Sequence, residues 1–481
     1  MAALFNAAPG AAQTPTGSVG TITVRRTDGT KRYAEEPALK WQPAGEEAAG
    51  AIVLEPARTY QEMLGFGAAL TDASAYMINQ LDPATREKFL HELYHPSELA
   101  MAVTRLCIGS SDFSTKMYSY DEGEPDPELK RFSIDQDKQY LLPQLRTARK
   151  MNPDLFLLAC PWSPPGWMKA SGTMLGGSLK PRNFAVYAKY FVKYLKAFEA
   201  EGVKIDAVTS QNEVDTDQDG RMPACAWAQE HEVLFVSQHL GPAFAENKIQ
   251  TKIWMLDHNW NLWGRVINSL EEPTFNRYID GVAWHPYLGT IDAMTRVHDA
   301  YPDKHMYWTE GDFGAVGAFA GGGLAGAAPV ASTDAPKREP VPPAVKMALG
   351  GALAAAAVRN WTRCLMLWNI VLDENGNPNI GPFTGASGTI TIDSKTKEIT
   401  RGTDYWVLKH YTHATPGGSK RFASHGGEEA VAHAAFVSRD DTKVLVLSNT
   451  TAGDKQVQVR VGGLMTQITL PAHSITNLSW V

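Results

Sequence analysis

The chain has 481 residues, enough for one large barrel with an appendage or for two to three ordinary domains. Its hydrophobic share of 44% and charged share of 20% are typical of a globular protein. A net charge of −7 and the lack of any long basic run argue against a nucleic-acid partner. No segment reaches the roughly 20 consecutive apolar residues of a membrane span.

The start of the chain lacks the basic and apolar regions of a secretory signal. Its richness in Ala, Gly, Pro and Thr predicts a disordered tail over 1–17. Such a tail is compatible with the trimmed N-terminus of a secreted or periplasmic protein whose signal peptide is absent from this chain. The sequence leaves the compartment and the oligomeric state open.

Two short strands, Val19–Arg25 and Ala51–Leu54, are predicted before the central region. From Gln61 to Asn369, short apolar runs then alternate with amphipathic helical stretches, which indicates βα units and a parallel sheet. Eight strands fit a closed barrel: Gly65–Ala69, Ala102–Ile108, Leu155–Ala159, Ala207–Gln211, Lys252–Leu256, Gly281–His285, His305–Glu310 and Cys364–Trp368. The predicted helices are Pro83–His91, Gln139–Lys150, Asn183–Glu201, Glu230–Leu240 and Pro343–Asn360.

A stretch rich in Ala, Gly and Pro, Ala315–Pro343, directly follows the seventh predicted strand. Long irregular loops in compact domains are usually functional or disordered. Because loops at the carboxyl face of a barrel carry function, we interpret this one as a mobile wall of the substrate pocket rather than a mere insertion.

After a helix near Tyr405–Thr412, the chain alternates with a period of two, as in Lys443–Leu447 and Val457–Val461. Strands without helices between them predict an antiparallel sandwich, in which the two N-terminal strands find partners. The fold class is therefore α/β, a (β/α)8 TIM barrel with an antiparallel β-sandwich side domain. The predicted boundaries are 57–414 for the barrel and 18–56 plus 415–481 for the sandwich.

Cysteine and histidine usage gives no metal signature. Four cysteines are isolated and behave as small buried hydrophobes: Cys107, Cys160, Cys225 and Cys364. His410 and His413 have no third ligand in view and are interpreted as ordinary helix residues. We predict no metal and no cofactor.

The strongest functional signal is a pair of glutamates, Glu213 after the fourth predicted strand and Glu310 at the end of the seventh. Strand ends of an α/β barrel direct side chains into the active site. Two facing carboxyl groups are the minimum equipment for cutting a glycosidic bond. A carboxylate after a strand is more often only a solvated residue, so the assignment depends on its neighbours.

Neighbouring residue types fit a sugar site. Asn212 can hydrogen-bond a sugar 2-OH, an interaction that strengthens in the transition state. Trp162 and Trp368, at the ends of the third and eighth strands, offer rings to the apolar face of a sugar, and Asp72 can accept two hydroxyl hydrogen bonds. Each alone is equally well a packed Trp or a helix-capping Asp. Their convergence on one face is what packing does not explain.

The chain resembles glycoside hydrolase family 30, the group that contains lysosomal acid β-glucosidase (glucosylceramidase) and bacterial β-glucosidases. The resemblance covers nearly the full chain and rests on motifs in the family's order: Gly65–Asp72, Thr104–Leu106 with Ser111–Ser114, Pro161–Pro165, Gln211–Glu213, Trp284–Tyr287, Trp308–Gly311 and Leu367–Asn369.

The resemblance implies a retaining, exo-acting β-glucosidase or glucosylceramidase-like enzyme that uses double displacement. It implies Glu310 as nucleophile, ionised beside a cation, and Glu213 as acid/base, kept protonated by a less polar setting. The remaining roles carried over by the family pattern are the sugar contacts Asp72, Trp162, Asn212 and Trp368, and the residues that flank or support Glu310, namely Arg105, Tyr287 and His285. Retention needs carboxyl groups about 5 Å apart.

Three departures touch the leaving-group side: Val214 with the acidic run Asp215–Asp219, Pro286 in place of an aromatic residue, and an Ala/Gly loop after Glu310 that is longer than expected. They leave the aglycone open, ceramide in particular. The same family includes β-xylosidases, β-fucosidases and β-1,6-glucanases. A non-catalytic carbohydrate-binding protein could lose one glutamate, and a metal-dependent hydrolase needs clustered ligands, for which only His285 qualifies. The expected partner is a β-linked glycoside or oligosaccharide.

Overall fold

The computed structural model describes residues 20–313 and 341–481 and confirms the predicted fold class, a closed parallel barrel with an attached β-sheet domain. The strands in chain order are β1 (Thr21–Thr27), β2 (Ala34–Lys40), β3 (Gln42–Pro43), β4 (Ile52–Glu62), β5 (Gly65–Ala69), β6 (Val103–Cys107), β7 (Phe156–Cys160), β8 (Ala207–Thr209), β9 (Lys252–Asn259), β10 (Ile279–His285), β11 (His305–Trp308), β12 (Thr362–Leu367), β13 (Val371–Leu372), β14 (Ile390–Ile392), β15 (Ile399–Arg401), β16 (Lys420–Gly426), β17 (Val431–Val437), β18 (Lys443–Asn449), β19 (Lys455–Val461), β20 (Leu464–Leu470) and β21 (Ser474–Trp480).

The α-helices are α1 (Asp72–Asn79), α2 (Pro83–Tyr94), α3 (Asp135–Lys138), α4 (Leu141–Met151), α5 (Phe184–Ala200), α6 (Gln229–Phe235), α7 (Gly241–Glu246), α8 (Trp263–Leu270), α9 (Pro273–Asn276), α10 (Ala293–Ala300), α11 (Pro343–Arg359) and α12 (Thr403–Ala414). Short 3-10 turns cover Gly166–Met168, Pro181–Asn183, Gln218–Gly220 and Trp260–Leu262.

All eight predicted barrel strands are present as β5–β12, each paired in parallel with the next, and β12 closes onto β5. The strands read as near-continuous apolar runs because helices cover their outer face and side chains fill the interior. The interior layers include Val103, Leu158, Trp254, Tyr307 and Met366. Gly67 is required where β5 meets β6, since a Cβ there would lie 1.9 Å from the carbonyl oxygen of Val103.

The predicted helices are confirmed with small shifts at their ends, except for the one expected over Glu230–Leu240. There the chain forms α6, then a π-helical turn over Val236–Leu240, then α7. Pro242 in the first turn of α7 has no N–H to donate and its ring crowds the carbonyl four residues earlier. A wider π turn before it relieves that conflict.

The N-terminal strands β1–β4 and the C-terminal strands β16–β21 meet in the side domain, as predicted. The ten strands run in the order β2-β1-β21-β18-β17-β16-β4-β19-β20-β3, around a core that includes Ile22, Trp41, Leu54, Leu445 and Trp480. One pair departs from the antiparallel expectation, because β19 runs parallel to β4. A further small sheet, β13-β14-β15, follows the last barrel strand and was not predicted.

Several predictions fall outside the described residues or stay untested. The tail 1–17 lies outside them, and so does most of the proposed pocket wall, of which only 341–343 are described. The domain boundaries stay predictions; β4 runs across the one at 56/57. Within 20–313 and 341–481, no helix has the length and apolar character to cross a membrane.

Candidate active site

Three polar residues at the carboxyl ends of barrel strands have left-handed backbone conformations, with φ of 56° at Glu213, 49° at Asp257 and 42° at Asn369. Non-glycine residues rarely adopt positive φ, and such strain collects at functional sites. The strain at Asp257 has a visible origin. The pairing of β9 with β10 passes from Leu256 to His258, so Asp257 is an unpaired bulge residue. Bulges of this kind redirect side chains beside active sites.

Glu310, at the end of β11, is held by two donors. The Arg105 guanidinium, from β6, donates Nη1–H to Oε2, and the Tyr287 hydroxyl donates to Oε1 at 3.0 Å. Burial and the charge of Glu310 raise the pKa of Tyr287 well above its usual range, so the phenol stays a donor. The nearby Asp257 and Glu310 keep the pKa of Arg105 high despite burial. This is the flanking pair that the family resemblance implied.

Asp257 joins these groups and was missed by the sequence reasoning. Its fully buried carboxylate accepts from Arg105 at 2.8 Å, and from Thr209 at 2.8 Å and Thr309 at 2.7 Å. It also lies 3.0 Å from the Nε2 of His285. Burial alone would raise its pKa, but the Arg105 charge and the His285 contact hold the pKa well below the usual range. Asp257 is therefore a fixed negative charge that contacts both Arg105, which binds Glu310, and His285, which faces Glu213.

Glu213 faces two imidazoles rather than an apolar wall. Its Oε1 lies 3.6 Å from the Nδ1 of His285 and 3.8 Å from the Nδ1 of His258, and its Oε2 accepts from Gln218 at 2.5 Å. Burial alone would raise the pKa of Glu213, but these neighbours outweigh burial and lower it. Burial opposes the change at His285, but Glu310, Asp257 and Glu213 raise its pKa to about 9.

Both shifts favour an ionised Glu213 and a charged His285. The setting of Glu213 is therefore polar, whereas the sequence predicted a less polar setting that keeps Glu213 protonated. His285 supports Glu213 and Asp257 by direct contact, whereas the resemblance placed it in the wall beside Glu310.

Asn212 and the two tryptophans surround Arg105. The Oδ1 of Asn212 accepts from the Arg105 Nη2 at 2.6 Å, and the backbone N–H of Asn212 donates to Pro161 at 2.8 Å. The rings of Trp162 and Trp368 stack with centroids 5.1 Å apart, and the guanidinium lies 4.7 Å and 5.4 Å from them. Trp162 is only 2% exposed, so Trp368 presents the more accessible ring.

Asp72 begins α1 beside this group. Its Oδ2 accepts from the backbone and hydroxyl of Thr115 at 2.7 and 2.8 Å, and its Oδ1 accepts from the Tyr140 hydroxyl at 2.6 Å. Phe113 connects it to the rest of the site, because its carbonyl accepts from Ala73 and its ring contacts Trp368 at 5.9 Å. The helix-capping side chain is that of Thr71, not Asp72.

Four further residues complete the site. The Nε2–H of His258 donates at 2.6 Å to Asp215 of the acidic loop, and Gln218 of the same loop donates to Glu213. Asp112 is buried, and burial followed by the charges of Glu310 and Glu213 raises its pKa well above the usual range. The strand-end rule that found the glutamates could also have found Asp257 and His258, which directly follow the predicted fifth strand.

Comparison with known proteins identifies the family of the chain. The model of the glycosyl hydrolase family 30 TIM-barrel domain matches residues 63–318, and that of the family 30 beta sandwich domain matches residues 418–478. The endo-1,6-β-D-glucanase of Neurospora crassa is 29% identical, over 84% of this chain and 82% of its own. The lysosomal acid glucosylceramidase of Mus musculus is 27% identical, over 89% of this chain and 83% of its own.

One similar solved structure is also described as an endo-β1,6-glucanase. The endo-β1,6-glucanase BT3312 is 28% identical to this chain and superposes with a TM-score of 0.82. The superposition covers 96% of this chain and 99% of that one.

Proposed function

The chain belongs to glycosyl hydrolase family 30, and from that premise we propose a retaining β-glycoside hydrolase with Glu310 as nucleophile and Glu213 as acid/base. That the protein is a glycosidase, as the sequence predicted, follows from the family itself. The observation that carries the finer proposal is the contrast between the two carboxyl groups. Glu310 accepts from Arg105 and Tyr287, whereas Glu213 contacts an imidazole that holds a proton.

In the proposed first step, the Glu310 carboxylate forms a bond to the anomeric carbon while the glycosidic oxygen leaves. The leaving oxygen takes a proton from Glu213, which receives it from the Nδ1 of His285. Asp257 keeps the Nε2–H of His285 oriented, so that Nδ1 points at Glu213. In the second step Glu213 removes a proton from water, the water oxygen replaces Glu310, and the configuration is retained.

The substrate-binding roles rest on the groups around Arg105. Asn212 is held by Arg105 and by the backbone, which leaves its amide free to donate to a sugar 2-OH. Trp368 provides an apolar face for the ring. Asp72 is kept in place by Thr115 and Tyr140 and retains acceptor sites for sugar hydroxyls.

Two substrate classes remain as candidates. An exo-acting β-glucosidase of the glucosylceramidase type was the first choice from the sequence, and the mouse glucosylceramidase is among the relatives. Hydrolysis of β-1,6-linked glucan is favoured by the Neurospora enzyme and by the similar solved structure, both described as endo-acting β-1,6-glucanases. β-Xylosidase and β-fucosidase activity are alternatives within the same family.

Proton NMR of the reaction mixture tests both the mechanism and the substrate. We would present aryl β-glucoside, xyloside, fucoside and galactoside, a glucosylated ceramide and a linear β-1,6-glucan to the purified protein. Retention predicts that the β-anomer of the product appears first, before mutarotation. An α-anomer formed first would contradict double displacement, and the fastest substrate identifies the sugar and the linkage.

Two variants test the assigned roles. Glu310→Gln should abolish turnover with the melting temperature preserved, and near-normal turnover would end the nucleophile assignment. Glu213→Ala should recover activity on an activated aryl glycoside when azide is added, because azide needs no general base. If azide changes neither the rate nor the product, the acid/base role is wrong.

A further inference from the structure

Two imidazoles and a carboxylate converge at one point beside the acidic loop. His258, His285 and Glu213 each offer one ligand atom, and these three atoms all lie within 4.8 Å of one another. His258 is 5% exposed and His285 is fully buried. The sequence pointed to His285 alone as a strand-end histidine; the bulge at Asp257 is what brings His258 to the same place.

The other ring nitrogen of each histidine is held by a carboxylate. The Nε2 of His285 lies 3.0 Å from Asp257, and the Nε2 of His258 lies 2.6 Å from Asp215. Each carboxylate fixes the ring so that Nε2–H donates to it and Nδ1 faces Glu213. A histidine that ligates a metal characteristically donates its other N–H to a carboxylate in this way.

The two Nδ1 atoms lack an ordinary partner. Across residues 20–313 and 341–481, neither is hydrogen-bonded, and the distances of 3.6 and 3.8 Å to Glu213 exceed normal hydrogen-bond length. Buried polar atoms are nearly always satisfied, so two that face one carboxylate call for an explanation.

We propose that Glu213, His258 and His285 form a binding site for a divalent transition-metal ion of the Zn²⁺ class, and that the ion inhibits the enzyme reversibly. Zn²⁺ binds imidazole nitrogen and carboxylate oxygen at about 2.0–2.2 Å. A tetrahedral ion at those distances separates its ligand atoms by roughly 3.4 Å. The distances of 3.6 and 3.8 Å to Glu213 need shifts of only a few tenths of an ångström, and the two imidazole nitrogens, within 4.8 Å of each other, must approach by about 1.4 Å at most.

The ligand set determines which metal binds and how its binding affects Glu213. Two nitrogen ligands favour Zn²⁺, Cu²⁺ or Co²⁺ over Ca²⁺ and Mg²⁺, which prefer oxygen. Because imidazole binds a metal in its neutral form, the ion competes with protons at both histidines. With its carboxylate occupied, Glu213 can neither donate nor accept a proton. The inhibition therefore rests on the proposed acid/base role of Glu213, whereas the binding does not.

The test measures binding and activity separately on the full chain, freed of metals by dialysis against a chelator. Titration calorimetry with Zn²⁺ should give one site per chain, and Co²⁺ should produce the visible absorption of a tetrahedral nitrogen–oxygen site. Added Zn²⁺ should lower turnover of an aryl β-glycoside, and chelator should restore it.

Variants locate the site. His258→Gln should weaken Zn²⁺ binding by at least tenfold, and Asp215→Asn, on a partly exposed loop residue, should weaken it about 10–100-fold by freeing the ring. His425→Gln is the matched control, because His425 also lies 3.6 Å from a carboxylate but on the side domain. It should bind and respond as the parent chain does.

Absent binding at millimolar Zn²⁺, or binding unchanged by both site variants, overturns the site. Binding of Zn²⁺ that depends on His258 and Asp215, but leaves turnover unaffected, keeps the metal site and instead contradicts the acid/base role of Glu213.

Discussion

Replacing Asp257 by Asn changes the charge at the centre of the buried network while preserving its shape. The Oδ2 of Asp257 accepts from Arg105 and Thr209, and its Oδ1 accepts from Thr309 and faces His285. An amide keeps one acceptor and presents an NH₂ in place of the other. Threonine hydroxyls can rotate to accept from that NH₂, but the guanidinium of Arg105 has only donors.

The loss of unfolding free energy depends on which hydrogen-bond donor is left unpaired. Breaking a buried ion pair by removing one partner costs about 3–5 kcal/mol, and Arg105 retains Glu310, so we expect about 3 kcal/mol. The control Thr209→Val removes one neutral hydrogen bond to the same carboxylate and should cost about 1 kcal/mol. For 481 residues the entropy of unfolding is ~1 kcal/mol per kelvin.

The assay is differential scanning calorimetry of the two variants beside the parent chain at pH 7. The melting temperature of Asp257→Asn should fall by roughly 3 °C, and that of Thr209→Val by roughly 1 °C. An Asp257→Asn variant as stable as Thr209→Val would show that the charge of Asp257 does not hold the network together, and would refute the reasoning.

Three other predictions concern single side chains. Tyr287→Phe removes a hydroxyl that donates to Glu310, and kcat/KM should fall about tenfold, ~1.4 kcal/mol, at nearly unchanged melting temperature; unchanged kinetics would contradict the contact's role. Gln218→Ala removes a contact that lowers the pKa of Glu213, so that pKa, followed by carbon NMR of the labelled carboxyl group, should rise rather than stay in place. Burial lowers the pKa of His410 to about 3, so the unfolded chain binds a proton that the folded chain excludes, and stability falls as the pH drops below about 6.5. Between pH 7.5 and 4.5 the melting temperature of His410→Gln should fall less than that of the parent chain. An identical fall in both proteins would exclude His410 as a source of this pH dependence.

The barrel could be predicted because its signal is repeated. Each βα unit carries its own apolar run and amphipathic helix, so an error of one or two residues at any end leaves the count and order intact. Glu213 and Glu310 were found by the same regularity, because polar residues after buried strands stand out. The π turn before α7 and the small sheet β13-β14-β15 are single local features, so no repeated pattern in the sequence predicts them.

The strand-end rule points to Asp257 and His258 as candidates, but their joint entry into the site has a physical cause that the rule does not contain. A regular strand alternates its side chains, and only the bulge at Asp257 allows both Asp257 and His258 to join the site. The polar setting of Glu213 depends on the 3.6 Å contact between Glu213 and His285, which no spacing in the sequence encodes. The expected less polar setting was wrong for that reason.

The proposed mechanism requires that Glu310 forms the covalent bond to the sugar. A 2-deoxy-2-fluoro-β-glucosyl fluoride, whose fluorine slows the second step, should trap that intermediate. Intact-protein mass spectrometry should then show one added 2-fluoroglucosyl group, and peptide mapping should place it on Glu310. The label should be absent from Glu310→Gln. A label on another residue, or steady turnover of the fluoride by the parent chain without any covalent adduct, would contradict the account.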